Sequence, residues 1–334
     1  MKKNYTLFSL FGALILSAGS ASAAGVYDNN ISALNINMLT DTFASYPNYG
    51  TKMSDLFKKA PVMYGTMDRL DEYGDDGSTV MSFYEPKQDL LFNNIWLDAS
   101  HINGHFHYGQ DINQHARFNL LTIGANTKQI DLRRGNISFG GFASYINTKV
   151  PDVRGNGDAF GVFARYKYKS FATTLLADMG SVNNDTNGTR FNNSWANIAV
   201  GASGTAKIDE TFFIRPEAYM AYSFVSSSDL YANGNNVSMN DFNFFNVAPG
   251  ISFIKQIVPN WYGTLSGKYV AHFGGKNDIH TGATSTTGLY LDNHTDIGID
   301  VEYDYKQFVF TGKIHKQLGG IDGISATLDA KYAF

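Results

Sequence analysis

Ile324-Ser325-Ala326-Thr327-Leu328-Asp329-Ala330-Lys331-Tyr332-Ala333-Phe334 closes the sequence, with every even position apolar and every odd position except Ala333 polar or charged. A period of two is the signature of a strand with two different faces. A one-residue slip would exchange Leu328 and Tyr332 for Asp329 and Lys331 on the apolar side, so the register is strongly specified. A dry core would not tolerate those charges without pairing. Hydrocarbon on one face and water on the other accommodates both sets.

The preceding segments repeat the pattern. Phe308, Phe310, Gly312 and Ile314 oppose Thr311, Lys313 and His315, while Ile297, Ile299, Val301, Tyr303 and Tyr305 oppose Asp296, Gly298, Asp300, Glu302 and Asp304. Trp261, Leu265, Tyr269 and Phe273 oppose Thr264, Ser266, Lys268 and His272, and Phe212, Ile214, Ala218, Met220 and Tyr222 oppose Arg215, Glu217 and Ser223. Further candidate strands run through 95–108, 116–127, 137–147, 159–168, 171–181, 195–205 and 246–256. The fold class that follows is all-β membrane: about twelve antiparallel strands closed into a transmembrane β-barrel over 93–334.

Connection lengths alternate. Tight turns are predicted at 168–170, 207–210, 257–260 and 305–307, and longer Gly- and Asn-rich loops at 151–158, 182–194, 226–241 and 275–292. Short periplasmic turns and long extracellular loops are the outer-membrane pattern, and an even strand number returns both barrel ends to the periplasm. A soluble β-sandwich also alternates. It does not account for the aromatic residues near the strand ends, such as Tyr303, Tyr305 and Phe308, or for fully charged inward positions.

At the other end, Lys2 and Lys3 precede an apolar run from Leu7 to Leu16 and the small residues Ala21-Ser22-Ala23, which predicts a cleaved secretory signal over 1–23. After it no apolar run reaches the roughly 18 residues of a membrane-spanning helix. The chain has no cysteine, in keeping with a barrel closed by hydrogen bonds rather than disulfides. Its net charge of −4 becomes about −6 without Lys2 and Lys3, the wrong sign for a nucleic-acid partner. Residues 24–92 read as a helical N-terminal segment: Leu34, Met38, Leu39 and Phe43 have helical spacing, and a second candidate runs from Met53 to Tyr73 across Pro61. A periplasmic tail and a pore helix both fit. In the pore reading Lys52, Lys58, Lys59 and Arg69 would face the lumenal carboxylates.

The first strand Ile95-Trp96-Leu97-Asp98-Ala99, the Gly-rich Phe139-Gly140-Gly141-Phe142, the middle strand from Ile214 to Tyr222 and the terminal Tyr332-Ala333-Phe334, in this order, resemble an autotransporter β-domain. The resemblance implies a twelve-stranded outer-membrane barrel with a helix threading its pore and an N-terminal passenger carried to the cell surface. Only about 70 residues separate Ala23 from the first strand, too few for a large folded passenger. The expected protein is therefore a translocator or surface protein of this type, with a stand-alone porin or solute channel as the alternative.

The expected lumen-lining residues are Arg215, Glu217, Lys268, Asp296, Asp300, Glu302 and Asp304, either as a selective lining or as ion pairs that stiffen a filled barrel. Leu328, Ala330, Tyr332 and Phe334 form the expected assembly signal for the barrel-assembly machinery, with periplasmic chaperones, outer-membrane lipid and lipopolysaccharide as further partners of a monomer. His101, His105 and His107, read as a lumenal row on the first strand, lack the nearby carboxylate or Cys of a metal site. Asp278-x-His280 and Asp292-x-His294 are similar to the omptin protease dyad, but the paired Asp-x-Asp is absent. No His-x-Ser of the outer-membrane phospholipase type occurs either. No catalytic site, metal or cofactor is expected. The loop dipeptides Asn187-Gly188 and Asn233-Gly234 mark exposed turns that could contact host or phage.

Overall fold

The computed structural model describes residues 36–44, 53 and 92–334, apart from short breaks at 109–111, 152, 187–188, 228–229, 233–234, 240, 275–276, 282–283 and 290. The signal-peptide expectation and most of the Met53–Tyr73 segment lie outside the described residues.

Twelve long strands form the barrel: β1 Phe92–Tyr108, β2 Ile112–Thr127, β3 Asn136–Val150, β4 Val153–Tyr168, β5 Phe171–Thr186, β6 Thr189–Gly204, β7 Phe212–Ser227, β8 Phe242–Val258, β9 Trp261–Gly274, β10 His294–Tyr305, β11 Phe308–Gly319 and β12 Ile321–Ala333. Each pairs antiparallel with its chain neighbours, and β12 pairs with β1 from Asn94↔Ala333 to Phe106↔Ile321. That last ladder closes the ring, so no barrel strand offers an unpaired edge to lipid. Beyond it, the N–H of Phe334 donates to the carbonyl of Asn93 at 3.0 Å.

One end of the barrel, the turn end, carries tight connections. Lys169, Asn260 and Lys306 take positive φ in three of them, with φ of 52°, 68° and 55°. Between β6 and β7, Asp209 accepts from both the N–H and the hydroxyl of Thr211, which holds its carboxyl below the usual range.

The opposite end departs from expectation. Two of the four predicted long loops are strand: Arg154–Asp158 belongs to β4, and Val182–Thr186 and Thr189–Ser194 extend β5 and β6. The physical reason is an inversion of polarity. Along the part of each strand nearer the turn end, Leu121, Ile123, Phe160, Val162, Leu175, Met179, Ile198 and Val200 point outward and are exposed. Beyond that band the outward positions are Asn119, Arg117, Asn156 and Arg154, while Phe106, Phe118, Ile146, Val153 and Ile321 turn inward and are buried. Alternation continues without a break, but its apolar face changes sides where the strands leave the hydrocarbon. The other two predicted loops contribute a small four-stranded sheet, Leu230–Ala232, Asn235–Met239, Asn277–Thr281 and Thr284–Leu289.

The same band corrects the histidines. Ile95 and Leu97 are exposed while Trp96 and Asp98 are buried, so the odd positions of β1 face outward. His101 and His105 are exposed on the outside of the barrel, not in its lumen. The lipid-facing run of β1 simply continues into them.

Leu328, 72% exposed near the middle of the β12 apolar run, is the most sensitive reporter of the band. Leu328→Arg should cost about 2–4 kcal/mol in urea unfolding from lipid vesicles, against about 0–1 kcal/mol for His101→Arg above the band. Equal costs at the two positions would place the hydrocarbon elsewhere.

Candidate functional site, a lumen sealed at one end

The lumen has two unlike halves. Toward the turn end lies a polar cavity of about 610 Å³, whose lining includes Arg215, Glu217, Lys268, Asp296, Asp300 and Glu302. Asp304 is nearer the β10–β11 turn and does not line this cavity; its N–H donates to the Asn260 carbonyl at 3.0 Å. Arg165, Lys313, His315, Asp329 and Lys331 also line the cavity, with Lys167, Lys169 and Lys207. Alternation alone marks Arg165, Lys313, His315, Asp329 and Lys331, since each occupies the inward phase of its strand.

These charges are sorted by wall. Arg165 on β4 and Arg215 on β7 form a cationic side, with Arg215 Nε 3.4 Å from Glu217. Asp296, Asp300 and Glu302 stand on β10, six strands from β4 and so across the ring from it. His315 on β11 bridges Asp296 through Nδ1 at 2.6 Å and Asp300 through Nε2 at 3.0 Å. A ring donating to carboxylates from both nitrogens is an imidazolium. Lys268 and Lys313 sit beside the same carboxylates in register, opposite Asp296 and Asp300. Gly298 makes this possible, because a Cβ there would lie 2.5 Å from the His315 ring. The wall is thus a network of compensating charges that stiffens the barrel.

Toward the other end the lumen is filled by apolar side chains. Phe106, Phe118, Ile146, Trp195, Phe244 and Ile321 belong to one buried cluster, which continues past Phe142 to Trp96 and Phe163 nearer the turn end. Both indoles are hydrogen-bonded: Trp195 Nε1 donates to Asp178 Oδ1 at 3.0 Å, and Trp96 Nε1 to Asn126 Oδ1 at 3.1 Å. Gly161 has room only for hydrogen, since a Cβ would lie 2.3 Å from the Phe142 ring.

Into this cluster fits α1, Ile36–Phe43. Ile36, Leu39 and Phe43, three and four residues apart, share one helical face and are all buried. Phe43 lies 5.3 Å from the Phe142 ring and stacks at 6.3 Å on Trp195. A helix of eight residues is marginal in water, so this burial, about 2 kcal/mol for each large side chain, is what holds it helical. Lower in the lumen, the N–H of Met53 donates to Glu302 Oε1 at 2.7 Å and the Thr264 hydroxyl approaches Met53 Sδ at 3.2 Å. The N-terminal segment therefore enters the barrel at both depths. Of the four residues whose spacing predicts the helix, Leu39 and Phe43 are on its buried face with Ile36, and Leu34 and the Met38 side chain lie outside the described residues.

The Asp278 and His280 side chains lie outside the described residues. His294 is buried in the lumen beside His272, with Nε2 of His272 3.2 Å from Nδ1 of His294, and it makes no dyad with Asp292. Among the described residues no cluster of His, Cys, Asp or Glu has metal-binding geometry. Leu328, Ala330, Tyr332 and Phe334 share the outward face of the terminal strand, and Tyr332 packs edge-on against Phe334 at 5.2 Å and beside Phe308 at 5.0 Å.

A closed twelve-stranded barrel with an apolar outer band and a lumenal helix is a membrane-spanning architecture of a definite kind. Neither family models nor curated proteins match the chain. Solved structures do. The transport unit of the autotransporter AIDA-I from Escherichia coli aligns over 76% of this chain and 93% of its own, at 14% identity and a TM-score of 0.57. The β-domain of the Bordetella autotransporter BrkA aligns over 73% and 100%, at 13% identity and 0.58. The translocator domain of NalP from Neisseria meningitidis aligns over 74% and 90%, at 10% identity and 0.55. The chain has the fold of the autotransporter β-domain.

Two outcomes follow from the lumen. Removing the bridging ring with His315→Ala leaves Asp296 and Asp300 with only Lys268 and Lys313 beside them and should lower unfolding stability by about 3 kcal/mol. Phe43→Asp places a carboxylate in the apolar cluster and should expel α1, raising single-channel conductance in planar bilayers above that of the unaltered protein. Unchanged conductance would mean that the barrel's own side chains close the lumen without the helix.

Proposed function

We propose that the protein is an outer-membrane translocator of autotransporter β-domain type that keeps its own short N-terminal segment in the lumen and carries no large folded passenger. Residues 1–23 act as a cleaved signal peptide, the turn end faces the periplasm, and the barrel is a non-enzymatic monomer. The observation that carries this reading is α1 itself: Ile36, Leu39 and Phe43 are built into the same core as Trp96, Phe142 and Trp195. A solute channel gains nothing from an apolar core across its path, whereas a translocator sealed by the last stretch of its cargo needs one. The lumenal residues Arg215, Glu217, Lys268, Asp296, Asp300 and Glu302 serve on this reading as wall and lining, not as a selectivity filter.

Assembly follows from the last strand. The aromatic Phe334, with Leu328, Ala330 and Tyr332 on the same face, is the element read by the barrel-assembly machinery after periplasmic chaperones deliver the chain. Phe334→Asp should cut the folded, heat-modifiable barrel in outer-membrane fractions several-fold while leaving export to the periplasm intact.

The natural absence of cysteine makes the topology directly measurable. A single cysteine at Asn29, just ahead of α1 in sequence, should react with a membrane-impermeant maleimide on intact cells. Reaction only after the outer membrane is opened would place that segment on the periplasmic side and overturn the translocator reading.

A further inference from the structure

Just outside the apolar band, the outer face of β1 to β6 carries two aligned polar rows. The first runs His101, Asn119, Asn147, Asn156, Asn183, Asn192, each residue directly opposite the next across successive strands. Its side chains are linked in two groups: His101 Nδ1 donates to Asn119 Oδ1 at 2.7 Å, Asn119 Nδ2 to Asn147 Oδ1 at 3.3 Å, and Asn147 Nδ2 to Asn156 Oδ1 at 2.8 Å. Asn192 Nδ2 donates to Asn183 Oδ1 at 3.0 Å. Two residues farther from the band, Arg117, Lys149 and Arg154 face outward in direct register on β2, β3 and β4. All three are exposed, and among the described residues none has a carboxylate within ion-pair distance. Asp185, opposite Arg154, lies 3.6 Å from Arg190 instead.

Like charges placed directly opposite one another destabilise a strand pair. A row of three cations is therefore an arrangement that an anion completes. The neighbouring amide ladder offers further donors and acceptors of the kind that sugar hydroxyls use. Height selects the source of the anion, because both rows lie beyond the exposed Leu121 and Tyr145 of the lipid-facing band, with the outward Asp158, opposite Tyr145, between Phe160 and the row on β4. We infer that the outer face of β1 to β6 is a binding site for the phosphorylated sugar headgroup of an outer-leaflet glycolipid, with Arg117, Lys149 and Arg154 taking phosphate and the Asn ladder taking sugar. Arginine suits this role through its planar fork and lysine as a point charge.

The inference rests on the outer-membrane reading above, which puts this end of the barrel at the outer leaflet. Its test does not depend on where the N-terminal segment travels. Purified full-length protein in detergent is titrated with deep-rough lipopolysaccharide and with the same lipid after enzymatic dephosphorylation, and binding is read by native mass spectrometry. The phosphorylated lipid should bind at least about tenfold tighter than the dephosphorylated one, and this preference should weaken in about 1 M salt. The triple variant Arg117→Gln, Lys149→Gln, Arg154→Gln should lose the preference while remaining heat-modifiable, and Lys149→Arg should keep it. Equal affinity for the two lipids, or an unchanged preference in the triple variant, overturns the site. Full displacement of the lipid by millimolar inorganic phosphate overturns the glycolipid assignment. Failure here leaves the translocator reading standing, and periplasmic labelling of a cysteine at Asn29 leaves the lipid result standing.

Discussion

Inside hydrocarbon no backbone N–H or C=O can find water, so each must find another strand. The pairing of β12 with β1 meets that demand for the whole sheet at once. Everything else in the molecule is arranged around a ring that cannot open. Because the ring is fixed, the chain can place charge on one side of it and lipid on the other, residue by residue, without either interfering with the ladder.

The ring also lets one sequence period serve two solvents. Near the turn end Leu175 and Met179 meet lipid while Arg165 and Asp296 meet a polar cavity. Farther along, Arg154 and Asn156 meet water while Val153 and Phe106 belong to one apolar cluster. The upper barrel is in effect a soluble core grafted onto a membrane span. That core provides the apolar socket in which α1 becomes helical, so the seal of the lumen and the polar outer collar are two faces of the same inversion.

How much of this was legible in the sequence depends on which rule a residue obeys. The strands from Phe212 onward were readable because apolar-outward alternation holds almost to their ends, and the C-terminal strand alone set the fold. Residues 151–158 and 182–194 look like loops to any rule that requires apolar residues to face out. There Val153, Val182 and Phe191 face in, and their strand character shows only once the inversion is recognised. The same blind spot put His101 and His105 in the lumen: their phase was available from Ile95 and Leu97, but their polarity suggested the opposite face. The lumenal carboxylates of β10 could be read from alternation, yet the bridge from His315 to Asp296 and Asp300 could not, since it depends on which strand pairs with β10 and on the space above Gly298. For α1, spacing gave the helix and its apolar face but not its socket.

The outward collar has a kinetic consequence as well. To leave the membrane toward the turn end, the barrel would have to draw Arg117, Lys149 and Arg154, with the linked asparagines beneath them, back through hydrocarbon. Each arginine or lysine costs about 2–4 kcal/mol at the bilayer midplane, a cost that falls on the barrier to extraction and not on the resting state. The collar thus acts as a barb: passage outward happens once during assembly, while the strands are still being added, and the finished ring holds its depth by what it would have to drag back.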